Sequence, residues 1–245
     1  MNVKEYLINR MKEGTIHLAL LDPDKQDGRE AGIIAKKMKE AGTDAIMIGG
    51  STGVTSENLS ETAVAIKETS GLPTIHFPGG PGALSKNVDS IFFMSMVNSM
   101  DPFWIIKAQA GASAYIKKLG IEIISLGYII VEPGMKVGEV GRADAIKHNE
   151  IDRAVGYALA CEMFGMDLVY LEAGSGADRP VPPEMISAVR KVLSIPLIVG
   201  GGIRTPEAAK AARLAGANAI VTGTFIERCS DGDMLRSVVN ASKGK

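Results

Sequence analysis

Residues 197–224, LIVGGGIRTPEAAKAARLAGANAIVTGT, carry the clearest structural pattern in the chain. A short β-branched run leads into a glycine-rich turn, a helical pattern that begins at Thr205-Pro206, and a second apolar run that ends in Val221-Thr222-Gly223-Thr224. Threonine is a favoured helix N-cap and proline is favoured at the first helical position, so this helix start is well marked. A strand, a helix and a strand in this order predict one unit of a parallel sheet.

Outward from this unit, the same alternation occurs about eight times, and a chain of 245 residues has the usual length of one α/β barrel. We therefore predict a single (β/α)8-barrel domain over residues 1–245, a TIM barrel. The predicted strands are Ile16–Leu21, Asp44–Ile48, Thr74–His76, Ser90–Ser95, Glu122–Val131, Leu168–Leu171, Leu197–Val199 and Ala219–Val221. The predicted helices are Gly28–Ala41, Ser56–Thr69, Pro102–Leu119, Glu150–Phe164, Pro182–Leu193, Pro206–Ala215 and Asp231–Asn240.

The third crossover is unusually short. Only FPGGPGALSKNVD, residues 77–89, connects strands 3 and 4, and it contains two prolines and three glycines. A crossover with its helix needs a dozen or more residues, so the third wall helix is predicted to be missing or irregular. The gap is either a plain irregular connection or a slot for a long apolar ligand, lined by Phe77, Ile91, Phe93 and the nearby helix.

A second irregular segment, Glu132–Asn149, follows strand 5. It contains three glycines and mixed charges, and loops of this length in a compact domain are usually functional or disordered. Its position at the catalytic face favours a lid or an interface arm.

Composition excludes several classes of partner. The net charge is -1 and hydrophobic residues make up 46 %, so nothing global attracts the chain to nucleic acid or anionic lipid. We see no signal peptide and no apolar run long enough for a membrane segment, and expect a cytoplasmic protein. Cys161 and Cys229 match no metal-ligand spacing and are interpreted as small buried hydrophobic residues.

Glycines follow three neighbouring strands. Gly174-Ser175-Gly176 follows strand 6, Gly200-Gly201-Gly202 follows strand 7 and Gly223-Thr224 follows strand 8. Loops after strands 7 and 8 of a barrel form the usual phosphate site, where glycine lets backbone N–H groups approach the oxygens closely. The pattern predicts a bound phosphate at this face.

Tyr170 and Glu172 lie two apart on strand 6 and therefore point to the same face. At the barrel mouth, Glu172 is placed to act as a general base for a bound hydroxyl. The structural alternative is a carboxylate that is hydrogen-bonded only to satisfy a layer of the barrel.

Asp22 ends strand 1, and Ser51 follows strand 2 beside it. A carboxylate there suits a hard cation, because Mg²⁺ takes one or two protein oxygens and then substrate phosphates. Asp22 instead capping the first helix is the alternative. Lys25 is a candidate partner for a diphosphate, and His76 is expected at the mouth without an acid partner.

Together these motifs resemble the geranylgeranylglyceryl phosphate synthase family, archaeal ether-lipid enzymes related to bacterial PcrB proteins. The resemblance spans nearly the whole chain in order. The matching blocks are LALLDPDK at 18–25, IMIGGSTGVT at 46–55, PTIHFPG at 73–79, LGYIIVEPG at 126–134, YLEAGSGA at 170–177, LIVGGGIRTPEAA at 197–209 and VTGT at 221–224.

The resemblance implies a modified TIM barrel, without the third helix, that transfers a prenyl group. The donor would be geranylgeranyl diphosphate, the acceptor the 3-hydroxyl of sn-glycerol 1-phosphate, and the cofactor Mg²⁺ held by Asp22 and Ser51. Glu172 and Tyr170 would be catalytic, Phe77 and Trp104 would bind the prenyl chain, and a homodimer or hexamer is expected. The implied glycerol phosphate site is Tyr170, Leu171, Glu172, Ala173, Gly174, Ser175, Gly176, Gly201, Gly202, Gly223 and Thr224.

Three alternatives remain open. A sugar-phosphate isomerase would pair acid and base residues on strands 1 and 5, where the sequence offers Asp22 and the incomplete partner Glu132. The same transferase chemistry with a longer prenyl donor is the second alternative, and a metabolite sensor without turnover is the third.

Overall fold

Eight parallel strands close into a barrel in the order β1 to β8, with β8 paired to β1. The computed structural model describes residues 2–50, 53–223, 226 and 232–245. The strands are β1 Ile16–Leu21, β2 Ala45–Ile48, β3 Thr74–His76, β4 Ser90–Met96, β5 Glu122–Ile130, β6 Leu168–Glu172, β7 Leu197–Gly200 and β8 Ala219–Thr222. The predicted TIM barrel is confirmed, and strand bounds differ from the prediction by one residue at most.

Helices surround this barrel. They are α1 Val3–Glu13, α2 Gly28–Ala41, α3 Ser56–Ser70, α4 Ala108–Leu119, α5 Met135–Val140, α6 Ile151–Met163, α7 Pro183–Val192, α8 Pro206–Leu214 and α9 Gly232–Lys243. A π-helical turn, Phe103–Lys107, leads into α4. Residues 77–89 contain no helix, so the prediction of a missing third wall helix is confirmed.

Local signals fix where the helices begin and end. In α3, Thr55 and Asn58 form a capping box: the N–H of each donates to the side chain of the other, at 2.8 and 3.1 Å. The helix ends at Gly71, whose φ of 65° is left-handed. In α8, the Thr205 side chain accepts the N–H of Ala208, as the sequence predicted.

Two helices were not predicted. α1 places Val3, Leu7 and Met11 in the same apolar cluster as the barrel interior, below the N-terminal ends of the strands. At its first turn, the N–H of Val3 donates to the Glu122 carboxylate at 2.6 Å. The second, α5, is a short helix within the segment predicted as an irregular loop.

The core has an inner and an outer part. Side chains that alternate along the strands either fill the barrel, as Met47, Ile75 and Phe92 do, or pack against the wall helices, as Ile46 and Ile48 do. Cys161 is buried in the outer part, where burial raises the pKa of its thiol to about 12, in agreement with the prediction. Cys229 lies outside the described residues.

The barrel wall is interrupted between β3 and β4. All seven residues of β4 pair with β5, whereas only Ser90 and Ile91 pair with β3. Above His76 and Ile91 the two strands are therefore separate. We call this opening, between Pro78 on one side and Met94 on the other, the β3–β4 split.

No helix among the described residues combines the length and the apolar character that a membrane crossing requires.

Candidate active site

A cavity of about 1020 Å³ opens at the C-terminal ends of the strands, and we call it the central cavity. Most of its lining comes from strand ends and the loops that follow them, which is where barrel enzymes place their catalytic residues. It is lined by Leu20, Asp22, Lys25, Gln26, Glu30, Ile33, Ile34, Gly49, Gly50, Phe77, Pro78, Gly79, Met94, Tyr128, Met135, Lys136, Val137, Glu172, Ser175, Gly176, Arg204 and Gly223.

A small recess of about 40 Å³ adjoins the central cavity, at the loops after β6, β7 and β8. We call it the glycine cup. It shares Leu20, Glu172, Ser175, Gly176, Arg204 and Gly223 with the central cavity and adds Tyr170, Gly201, Gly202, Ile203, Val221 and Thr222. A dianionic phosphate group in this recess would meet backbone amides, a serine and a guanidinium.

Gly201 shows why the cup needs glycine. Its φ of 83° is left-handed, and a Cβ there would lie 2.4 Å from Glu172 Oε1 and 2.6 Å from the Gly174 nitrogen. A side chain at Gly201 would therefore displace the carboxylate and the loop after β6.

The structure shows how the predicted glycerol phosphate residues at the end of β6 are arranged. The side chains of Leu171 and Ala173 lie in the outer core, because these residues alternate with Tyr170 and Glu172 along the strand. The N–H of Ala173 donates to the Gly200 carbonyl at 3.1 Å, and that of Gly174 donates to Glu172 Oε1 at 2.6 Å. These two amides are already engaged within the fold, and a role for Leu171, Ala173 or Gly174 in binding the acceptor stays a prediction. Thr224 lies outside the described residues.

Glu172 lies where the cup meets the central cavity, and it is buried. Burial raises the pKa of its carboxyl above the ordinary 4.5, while hydrogen bonds donated by the Tyr170 hydroxyl and the Gly174 N–H oppose that rise. A carboxylate with a raised pKa is a better proton acceptor near neutral pH. The arrangement suits a general base beside a bound hydroxyl.

The floor of the central cavity is aromatic. The rings of Phe77, Tyr128 and Tyr170 contact one another, with centroids 5.1 to 6.0 Å apart. Burial, together with the charge of Glu172, raises the pKa of both tyrosines well above 10.0, so their hydroxyls stay protonated as donors. Phe77 was predicted in the apolar slot; it packs inward on Tyr128 instead.

Asp22 faces the central cavity from the end of β1. Its carboxylate contacts the backbone of Gly50, where a Cβ would lie 2.3 Å from Asp22 Oδ1, and Lys25 Nζ lies 3.4 Å from Oδ2. Ser51, the second predicted metal ligand, lies outside the described residues. Within the described ranges, three or more acidic, histidine or cysteine side chains nowhere gather as a metal cluster. One carboxylate suits Mg²⁺ that takes its other ligands from substrate and water.

An apolar slot of about 50 Å³ lies in the wall between β4, α4 and the β3–β4 connection. It is lined by Pro78, Gly80, Pro81, Leu84, Ile91, Phe93, Met94, Met96, Trp104, Ala108, Gln109, Ala112 and Ile116. Pro78 and Met94 also line the central cavity, so the β3–β4 split joins the two. Trp104, predicted to bind the prenyl chain, lines this slot, and its binding of a chain stays a prediction.

The sequence predicts that His76 faces the mouth, and this prediction is wrong. It alternates with Ile75, which fills the barrel, and it pairs with Ile48 and Ile91, which belong to the outer core. Burial lowers the pKa of its ring to about 4. A neutral, wall-facing imidazole has no access to the central cavity.

Three cavity residues were missed from the sequence. Arg204 donates to the Gly176 carbonyl at 2.9 Å and pairs with Asp178, so it ties the loop after β7 to the loop after β6. Lys136 lines the mouth from α5, and Tyr128 lies on the inner face of β5. Only Tyr128 had a sequence signal, since it shares the alternation of Leu126 and Ile130.

Comparison with known proteins identifies the family to which the chain belongs. The family model of the PcrB family matches residues 7–242. Geranylgeranylglyceryl phosphate synthase of Thermococcus kodakarensis is 51 % identical over 96 % of this chain and 93 % of its own, and that of Methanosphaera stadtmanae is 47 % identical over 94 % and 95 %.

A solved structure resembles the whole chain. A crystal structure of (S)-3-O-geranylgeranylglyceryl phosphate synthase from Thermoplasma acidophilum, in complex with its substrate sn-glycerol-1-phosphate, matches with a TM-score of 0.97 at 41 % identity. The match covers 100 % of both chains. On the family match and on these relatives, the chain belongs to the PcrB family.

Proposed function

We propose that this protein is a prenyltransferase that joins geranylgeranyl diphosphate to the 3-hydroxyl of sn-glycerol 1-phosphate. The products are geranylgeranylglyceryl phosphate, which carries the first ether bond of an archaeal membrane lipid, and diphosphate. The observation that carries the proposal is the continuous path from the glycine cup, past Glu172 and through the β3–β4 split, into the apolar slot. Relatives named for this activity support it.

The glycine cup suits the phosphate of the acceptor. Gly176, Gly201, Gly202 and Gly223 expose backbone there, and Arg204 adds a positive charge. With the phosphate in this recess, the glycerol carbons extend toward Glu172, which lines both the cup and the central cavity. The acceptor hydroxyl is then within reach of the carboxylate.

Transfer breaks the bond between the first prenyl carbon and the diphosphate oxygen and forms the ether bond to the acceptor oxygen. Glu172 takes the hydroxyl proton, and the bonding electrons of the broken bond leave with diphosphate. Lys25 and Lys136 line the central cavity but not the cup, and they are placed to attract a diphosphate. The tail would pass Pro78 and Met94 into the slot.

Asp22 is the residue that we propose for Mg²⁺. Its carboxylate faces the cavity beside the open backbone of Gly50, and Mg²⁺ bound there would offset the negative charge that develops on the departing diphosphate. Ser51 stays a proposed ligand.

Among the alternatives, an isomerase is less well supported. It would need a partner for Asp22 at the end of β5, and Glu132 is exposed and does not line the described cavity. A longer donor with the same chemistry remains an alternative that the experiment below addresses.

We also propose that the protein forms a homo-oligomer. Met163 and Phe164, at the end of α6, are 81 % and 79 % exposed and adjacent, so they form an apolar pair on the surface that a partner subunit would cover.

Incubation with sn-glycerol 1-phosphate, Mg²⁺ and a series of prenyl diphosphates, followed by mass spectrometry, tests the function. We expect geranylgeranylglyceryl phosphate as the main product. Glu172→Gln keeps the shape and the oxygen that accepts the Gly174 N–H, so the acceptor should still bind by calorimetry while turnover falls by about 100- to 10,000-fold. Full activity of this variant would show that Glu172 is not the general base. Isomerisation of a sugar phosphate without ether formation would favour the isomerase.

A further inference from the structure

The π-helical turn Phe103–Lys107 separates β4 from α4 and carries Trp104 into the slot. The N–H of Ala108 reaches back to the Phe103 carbonyl, five residues earlier, so the turn contains one residue more than an α-helical turn. Such turns are rare and are frequent at functional sites. Trp104 is the only tryptophan in the chain.

Two side chains from outside the turn hold it. Gln109 Nε2 donates to the Trp104 carbonyl at 3.1 Å and to the Met94 carbonyl at 2.6 Å. Ser95 Oγ donates to the Ile105 carbonyl at 2.7 Å. The turn is therefore fastened to β4 at two successive residues, on the strand edge that the β3–β4 split leaves open.

Gln109 is a polar residue in an apolar slot. Among the described residues that line the slot, it alone carries an amide or a charged group. Its Oε1 is buried and has no hydrogen-bond partner among them, an arrangement that normally costs stability. Its Nε2, in contrast, serves two backbone carbonyls, so the glutamine is kept in this apolar slot to hold the backbone of β4 and of the turn.

We propose that Gln109 is a positioning residue for donor length: it fixes the π-helical turn so that Trp104 stands at one end of the slot and stops the prenyl chain. The inference rests on the proposed function, because it assigns the slot to the prenyl tail. Gln109 acts through Trp104 and takes no part in the chemistry at Glu172.

Gln109→Leu tests this role, because leucine has a side chain of similar size and cannot form either hydrogen bond. We expect the ratio of kcat/KM for a donor one isoprene unit longer than geranylgeranyl diphosphate, relative to geranylgeranyl diphosphate itself, to rise about tenfold. The fluorescence emission of Trp104 should shift as the ring moves. The Kd of sn-glycerol 1-phosphate should not change, since the cup and the slot share no lining residue.

Ser113→Ala is the matched control, because Ser113 is exposed on the next turn of α4 and its hydroxyl donates to the Gln109 carbonyl and to no other described residue. It should retain the donor ratio and the emission of the unchanged protein. Trp104→Ala should raise the donor ratio at least as much as Gln109→Leu. If Gln109→Leu does not fold, Ser95→Ala removes the other fastening and should shift both readouts in the same direction.

An unchanged donor ratio and unchanged emission in Gln109→Leu would overturn the inference and make Gln109 a packing residue. A shifted emission with an unchanged ratio would overturn the role in donor length alone. Failure of the proposed function is distinguishable, because the unchanged protein would then form no prenyl ether with any donor.

Discussion

Burial and hydrogen bonding act in opposite directions on the carboxyl group of Glu172. Burial favours the neutral form and raises the pKa, whereas the Tyr170 hydroxyl and the Gly174 N–H donate to the charged form and lower it. The net effect is a raised pKa, so Glu172 becomes charged at a higher pH than an ordinary glutamate does. Activity should therefore be lost as the pH falls through this raised pKa.

Tyr170→Phe removes one of the two donors and keeps the ring that packs on Phe77 and Tyr128. The charged form of Glu172 loses stabilisation, its pKa rises further, and the acidic limb of the kcat/KM profile moves to higher pH. Near neutral pH, kcat/KM should fall about tenfold. Tyr115→Phe, at an exposed position on α4, is the control, and a limb that stays in place would exclude Tyr170 from setting the pKa of the base.

Asp22→Ala tests the proposed metal site at the same scale. We expect the Mg²⁺ concentration for half-maximal activity to rise at least about tenfold, since even residues that only support a metal ligand change affinity that much. Asp24→Asn removes an exposed charge two residues away and should leave the titration unchanged. The same Mg²⁺ dependence in both variants would reassign the metal.

Residue-level prediction from the sequence succeeded where strand alternation decides orientation. Tyr170 and Glu172 point inward because they share the alternation of the barrel interior, and the same rule places Leu171 and Ala173 outside. Phe77 and Arg204 follow no such periodicity, because they lie in loops. Their contacts depend on which loops meet at the mouth, and that information is absent from local sequence.

At the scale of elements, α1 has its own role in stability. Leu7 is only 1 % exposed and lies in the cluster that fills the barrel, at the end opposite the central cavity. Leu7→Ala should lower the free energy of unfolding by about 2–5 kcal/mol through lost burial and a cavity. The exposed Asn9→Ala on the same helix is the control.

Denaturant unfolding followed by circular dichroism measures this difference, and steady-state kinetics well below the transition should be unchanged in both variants. Loss of activity in a folded Leu7→Ala protein would show instead that α1 communicates with the mouth.

The sequence marked the regular wall helices through their caps and glycine ends. It did not reveal α1, because its three buried residues are interspersed with charged ones and pack on a surface formed by distant strands. The π-helical turn before α4 was also invisible, since the hydrogen bond that Ser95 donates to its Ile105 carbonyl depends on how the turn packs against β4.

Across the whole molecule, stability and function occupy opposite ends of the barrel. At the lower end, Asp44 pairs with Lys243 of α9 at 2.7 Å and with Arg10 of α1 at 3.1 Å, and accepts the N–H of His17. These contacts join the first and last helices. Alternation and length predicted the barrel and its missing helix, whereas closure by such long-range pairs could not be predicted from local pattern.

The β3–β4 split bears on how a lipid would leave this protein. In a sealed barrel, a molecule with a charged head and a long tail would have to be withdrawn lengthwise through the mouth, dragging every methylene past charged groups. In this protein the β3–β4 split opens the side of the barrel. An amphiphile would leave sideways through this split, with its head and tail together. It would then pass to a bilayer without exposing its whole tail to water.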